Sequence, residues 1–151
     1  MVSIAGLIDM VFTRSPLRTE LLMLQLDRKH ILAIEVAKEL REIIKRSLGN
    51  TANWQILSAN SIAEALTSIQ TQPPDIILLE ADLLDRCDLH IWQQLQTTAE
   101  NRSIPMIFMA ARLRAMDRLQ FQQLGAAKAI AKPFDPQDLA EAIAKTLNID
   151  H

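Results

Sequence analysis

The sequence predicts one α/β domain in which a parallel sheet of five strands is covered by helices on both faces. Short apolar runs alternate five times with amphipathic segments between residues 30 and 148, and this alternation is typical of strand–helix units that build a parallel sheet. The third apolar run, residues 75–80, is aliphatic between its acidic ends and suits a strand buried on both faces. A length of 151 residues fits a single domain.

Each predicted strand is followed by a predicted helix. The strands are the apolar runs at residues 30–36, 54–59, 75–80, 104–109 and 128–131. The helices are the amphipathic segments at residues 37–48, 60–70, 89–100, 113–124 and from 136 onward. On the third helix, Leu89, Trp92 and Leu95 are the apolar residues, and we expect Trp92 to anchor the core.

Local signals mark where the helices begin and end. The glycine–asparagine pair at residues 49–50 is expected to end the first helix, and Asn60 or Ser61 to cap the second. Gly125 is expected to end the fourth helix. Asp135 precedes a proline, so the fifth helix is predicted to begin with an aspartate cap followed by proline in its first position.

Residues 1–29 lie outside the alternating pattern and are predicted to form a helical arm beside the domain at residues 30–151. Ser15 followed by Pro16 is a signal for the start of a helix, and an extra strand at residues 22–26 is the alternative. If five strands complete the core, the arm packs either on its own domain or on a second copy of the chain. The second arrangement would make it a dimerisation arm.

Composition excludes several classes of function. The formal net charge is −2, and the chain has three glycines, no tyrosine and 4% aromatic residues, so it lacks a glycine-rich nucleotide loop and a stacking platform for bases. No apolar run approaches the roughly 18 residues of a membrane span, and no secretory signal is visible. The single cysteine, Cys87, cannot form an internal disulfide. We therefore expect a cytoplasmic protein with no nucleic-acid or membrane partner.

Three charged residues stand where predicted strands end. Glu35 and Glu80 close the first and third strands, and Lys132 follows the fifth. The carboxyl ends of parallel strands share one edge of the sheet, so we expect Glu80 and Lys132 to pair, with Glu35 nearby. Such a cluster suits acid–base chemistry, a cation site or a structural ion pair, and the residues alone leave these three alternatives open.

Three segments of the chain resemble the receiver domain of two-component response regulators. They are PDIILLE at residues 74–80, IPMIFMAA at 104–111 and GAAKAIAKPF at 125–134, and the last is the most specific. The resemblance covers roughly residues 30–148. It implies a flavodoxin-like fold with the strand order 2-1-3-4-5, in addition to the helical N-terminal extension.

The family's phosphorylation site is altered in this sequence. The resemblance places the phosphorylated aspartate at position 80, where this chain has Glu80, and the acidic pair that holds magnesium at Glu35 and Val36, where one carboxylate is missing. Glutamate is one methylene longer than aspartate, and misplacement on that scale costs effective catalysis. Loss of a carboxylate weakens an octahedral Mg²⁺ site.

The residues that transmit phosphorylation in the family are also replaced. The switch threonine or serine corresponds to Ala110, and the rotating aromatic residue to Ala129. Only the lysine is kept, as Lys132, followed by Pro133 at a position where the family often has a cis bond. We therefore interpret the chain as a degenerate pseudo-receiver that is not an enzyme, has no catalytic residue and needs no metal or cofactor.

Alternatives to this interpretation remain at the same edge of the sheet. Glu80 could imitate the phosphorylated state, although it supplies one charge where a phosphoryl group supplies nearly two. Asp82 or Asp85 could accept phosphate in its place. A small ligand could bind in the pocket near Glu35, Glu80 and Lys132.

The resemblance implies a protein partner and a surface for it. Receiver domains commonly use the fourth helix, fifth strand and fifth helix as their output face, and here the mixed basic and apolar residues of the fourth helix region are Arg112, Arg114, Met116, Arg118 and Phe121. The alternative is a solvated helix with Phe121 in the core. We expect a signalling kinase or an output protein as partner, or a second copy of the chain through this face or the N-terminal arm. No helix-turn-helix segment is seen after residue 148.

Overall fold

The computed structural model describes residues 29–34, 37–51 and 54–147. Five strands and five α-helices alternate along this part of the chain. The strands are β1 (Lys29–Ile34), β2 (Trp54–Ala59), β3 (Ile76–Glu80), β4 (Met106–Ala110) and β5 (Ala126–Ala131). The helices are α1 (Lys38–Thr51), α2 (Ile62–Thr71), α3 (Leu89–Asn101), α4 (Ala115–Gln123) and α5 (Pro136–Thr146). A short 3-10 helix, Ala81–Asp85, follows β3.

The strands form one parallel sheet in the order β2-β1-β3-β4-β5. This confirms the predicted fold class and the strand order that the resemblance implied. The central strand β3 and its neighbour β4 are buried along their whole length, because helices cover the sheet on both faces. Since all strands run in the same direction, the residues that end them lie along one edge.

Each face of the sheet has its own core. On one face, aliphatic strand residues such as Ile31, Leu78 and Ile107 pack with Leu139 and Ile143 of α5. On the other face, the core is formed with side chains of α2 and α3, and its principal members are Leu32, Ile77, Leu79, Phe108, Ile62, Ile69, Trp92 and Leu95. The alternation of strand side chains divides these two sets.

The predicted caps agree with the structure. The Ser61 side chain accepts a hydrogen bond from the Glu64 backbone N–H at 3.1 Å, and Asp135 accepts one from the Gln137 N–H at 2.9 Å. Gly125 follows α4 with φ +102°, a conformation that a residue with a Cβ rarely adopts. These termini depend on neighbouring residues alone, so local sequence was enough to locate them.

Several details of the predicted elements were wrong. Helix α1 passes through residues 49–50 and ends at Thr51, because glycine costs a helix only about 1 kcal/mol relative to alanine. Strand β5 begins at Ala126, two residues before the prediction, through pairing with Met106 of β4. The 3-10 helix after β3 was not predicted.

Several predictions from the sequence concern residues outside the described part of the chain. They are the helical arm with its alternative strand at residues 22–26, and the side chains of Glu35 and Val36. Among the residues that the structure does describe, no helix is both long and apolar enough to cross a membrane.

A matched pair of leucine substitutions tests the arrangement of the helices. Leu95 of α3 is 0% exposed and Leu119 of α4 is 57% exposed. We expect Leu95→Ala to lower the free energy of unfolding by about 3 kcal/mol because it leaves a cavity in the core, and Leu119→Ala to change it by less than about 0.5 kcal/mol. Urea denaturation followed by tryptophan fluorescence measures both. Equal losses in the two variants would contradict the observed packing.

Candidate functional site

Glu80 is the last residue of β3 and lies at the edge where the parallel strands end. It is 7% exposed and is the sole buried charged residue in the described part of the chain. Its partner in the β-ladder is Met109 of β4. A carboxylate in these surroundings requires a partner, since an isolated buried charge is costly.

Lys132 supplies that partner. Its Nζ donates a hydrogen bond to Oε1 of Glu80, and the two side chains are 28% and 9% exposed. The Lys132 backbone N–H donates to the Ala110 carbonyl at 2.8 Å, so β4 holds the lysine just past the end of β5. The bond between Lys132 and Pro133 is cis. The structure therefore brings together two of the three charged strand-end residues, while Glu35 lies outside its description.

Two alanines complete the described edge. Ala110 ends β4 and is 4% exposed. Ala129 of β5 is half-buried and pairs with Phe108 of β4, on the face that carries α3 and α4. Both side chains end in methyl groups, so neither offers a hydroxyl or an aromatic ring at these positions.

The residues present do not fit the magnesium ion that the resemblance implies. The carboxylate of Glu80 already accepts from Lys132, and a valine at position 36 has no side-chain oxygen to offer a hard cation. In the part of the chain that the structure covers, no group of three or more His, Cys, Asp and Glu residues could hold a metal ion. The described edge can therefore form an ion pair, and we assign it no metal chemistry.

Helix α4 presents most of the predicted partner residues to solvent. Arg112, Arg114 and Arg118 are exposed, and Met116 is 67% exposed. No residue of α4 is buried. Sequence reasoning missed Leu119, which is 57% exposed and stands three positions after Met116; that helical spacing could have indicated a shared apolar stripe.

Phe121 differs from the rest of the predicted partner face. Its ring is half-buried and packs edge-to-face against Phe108, with centroids 5.4 Å apart. Phe108 packs in the same way against Trp92, at 6.1 Å. We therefore assign the Phe121 ring to the core instead of the exposed face, where it holds α4 to the sheet.

An ion pair between Arg114 and Asp117 caps the N-terminus of α4. Asp117 accepts hydrogen bonds from the backbone N–H of Arg114, at 2.9 Å, and from its Nε, at 3.0 Å. The hydrogen bond from the Arg114 side chain lowers the pKa of Asp117 and raises that of Arg114. Because the folded state lowers the pKa of Asp117, this pair stabilises the fold above the unfolded-state pKa and loses its effect as pH falls through the folded value.

Comparison with known proteins agrees with this geometry. The family model described as response regulator receiver domain matches residues 31–144. Response regulator Rre1 of Synechocystis sp. is 27% identical over 117 residues, which are 78% of this chain and 50% of that protein. The phosphate regulon transcriptional regulatory protein PhoB of Klebsiella pneumoniae is 30% identical over 76% of this chain and 50% of its own length. The chain thus spans about half the length of these curated relatives.

Solved structures agree on the fold. A two-component response regulator from Clostridium difficile superposes with a TM-score of 0.68 at 22% identity, covering 80% of this chain and 96% of that one. A CheY-like receiver domain protein from Methanospirillum hungatei JF-1 gives 0.66 at 21% identity, covering 81% and 95%.

Removing the cation of each ion pair compares how much the buried pair, Glu80–Lys132, and the exposed pair, Arg114–Asp117, contribute to stability. We expect Lys132→Met to lower the free energy of unfolding by about 2 kcal/mol, because it leaves the Glu80 carboxylate buried without its cation. Arg114→Met removes a cation that is 54% exposed, and we expect a much smaller loss than that of Lys132→Met because water screens an exposed pair. Urea denaturation at neutral pH measures both.

The double variant Glu80→Leu/Lys132→Met is the control. Replacing both partners with apolar residues removes the uncompensated charge, so it should regain most of the stability that Lys132→Met loses. A Lys132→Met variant as stable as Arg114→Met would contradict the structural importance of the pair.

Proposed function

The chain belongs to the response regulator receiver domain family, and from that premise we propose that it acts as a pseudo-receiver, a signalling module that binds a protein partner without phosphotransfer. In this proposal it is not an enzyme. The fold supplies a binding surface, and the edge that carries chemistry in the family serves a structural purpose.

The buried Glu80–Lys132 pair is the observation that carries this proposal. Phosphoryl transfer to a receiver needs a carboxylate nucleophile in line with the donor and a cation to neutralise the developing charge. Glu80 is 7% exposed and its carboxylate is already engaged by Lys132. An attacking oxygen would have to leave this pair and reach the donor with a longer side chain, so we infer that the reaction is lost.

Ala110 at the end of β4 and Ala129 within β5 support the same conclusion. A receiver that responds to phosphate must move a group when the phosphate arrives. The methyl groups of Ala110 and Ala129 cannot donate a hydrogen bond. They also cannot rotate between two positions as a larger side chain can. This also argues against Glu80 as a permanent imitation of the phosphorylated state, since no group is present to respond to it.

The exposed side of α4 supports binding of a protein. Met116 and Leu119 are large apolar side chains exposed beside three arginines. Methionine and arginine are enriched at protein interfaces, where the apolar part supplies burial and the guanidinium groups supply orientation. We infer a partner surface that is apolar at its centre and acidic at its rim, on a signalling kinase or an output protein.

Treatment with a phosphodonor tests the absence of phosphotransfer. We expect acetyl phosphate with Mg²⁺ to leave the intact mass of the wild-type chain unchanged, because Glu80 is not a competent nucleophile. The variant Glu80→Asp/Val36→Asp restores both family carboxylates and is the positive control, with an expected gain of about 80 Da for one phosphoryl group. A gain of this size in the wild type, mapped to Asp82 or Asp85, would overturn the proposal.

Charge substitutions on α4 test the binding surface. The wild-type chain, immobilised in native lysate, should retain a partner that Met116→Glu and Leu119→Glu each lose, because an acidic side chain would lie against an acidic rim. Thr97→Glu, at an exposed position of α3, is the matched control and should keep the partner. Retention by all three variants would contradict α4 as the interface.

A further inference from the structure

A crevice lies between α4 on one side and α3 with the 3-10 helix on the other. Its lining residues do not include Glu80 or Lys132, nor the exposed Met116 and Leu119 of α4. Its volume is about 600 Å³, within the range of about 300–1,000 Å³ that is common for small-molecule sites. Trp92 and Phe121 line it from two sides, and Ala81, Ala110 and Ala111 line it near the sheet. We call it the α3–α4 crevice.

Apolar side chains form part of the lining of the α3–α4 crevice, together with polar and charged groups. Trp92 is 4% exposed, and its ring and that of Phe121 both pack edge-to-face on Phe108, with centroid separations of 6.1 and 5.4 Å. The three alanines add only methyl groups to the lining. Leu89, at the mouth, is 68% exposed although it is a leucine, and a bound ring would cover it.

The rim of the crevice carries more negative than positive charge. Asp82 and Asp85 line it from the 3-10 helix and are exposed, and Asp117 and Arg112 line it from the α4 side. Arg114 holds Asp117, so the aspartates of the 3-10 helix are the acidic groups most open to a ligand. A cation with an apolar body is the charge complement of this arrangement.

We propose that the α3–α4 crevice binds a small organic ammonium compound with an aromatic ring. The ring lies against Trp92 and Phe121, and the ammonium group lies at the rim beside Asp82 and Asp85. Aromatic walls with a few convergent polar groups are typical of small-ligand sites. This site is separate from the Glu80–Lys132 pair, and its ligand requires no phosphoryl chemistry, so it does not rest on the proposed function.

Three probes that share one ring and differ in charge test the proposal on the full chain. They are phenethylamine, which is cationic, phenethyl alcohol, which is neutral, and phenylacetate, which is anionic. Two-dimensional ¹H–¹⁵N NMR reports binding through the indole N–H of Trp92. The indole of Trp54 is the internal control, because Trp54 packs in the core of the opposite face of the sheet.

We expect phenethylamine to shift the Trp92 indole signal and leave that of Trp54 in place. It should bind more tightly than phenethyl alcohol, and phenylacetate should bind most weakly. The variant Asp82→Asn/Asp85→Asn should reduce the affinity for phenethylamine roughly fivefold, since two exposed charge contacts are lost, and leave the affinity for the alcohol unchanged.

A second variant tests the site by filling the crevice with a larger side chain. Ala111 is exposed, so Ala111→Phe should fold normally, keep the Trp54 signal and abolish the shift at Trp92. Two results would overturn the proposal. One is the lack of any Trp92 shift with all three probes at millimolar concentration, and the other is equal or tighter binding of phenylacetate.

Discussion

The arrangement of residues at the carboxyl ends of the strands depends on one constraint: the buried carboxylate of Glu80 requires a positively charged partner. Glu80 is enclosed at the end of the central strand, and Lys132 reaches it from beyond β5. The lysine is in place because its backbone N–H is bound to the end of β4. The Glu80–Lys132 ion pair and the backbone hydrogen bond of Lys132 together join the ends of β3, β4 and β5.

The fold can keep its shape while this edge changes because the core and the edge use different residues. The aliphatic side chains of β1, β3 and β4 form the two cores, and nothing in their packing depends on a hydroxyl at position 110 or an aromatic ring at position 129. The alanines at these two positions leave the sheet intact. Family membership therefore establishes the fold, and the activity has to be argued from the edge itself.

Helix α4 makes few buried contacts with the rest of the fold. None of its residues is buried, and its aromatic contact with the sheet is the Phe121 ring on Phe108. One side of the helix exposes Met116 and Leu119, and another borders the α3–α4 crevice. Helix α4 thus contributes residues to both proposed binding sites, and Phe121 lines the crevice.

The sequence by itself determined the order and type of the strands and helices, because periodicity and capping act between near neighbours. Ser61, Asp135 and Gly125 belong to this group. It also indicated Glu80 and Lys132 as strand-end residues, and the resemblance supplied their family roles. The end of α1 and the start of β5 were misjudged, since the first depends on a small glycine penalty and the second on pairing with Met106. Tertiary structure alone decided that Phe121 is held against Phe108, that Leu89 and Leu119 are exposed, and that Trp92 borders a crevice. Exposure and cavities depend on how distant helices pack on the sheet, and no local pattern encodes those distances.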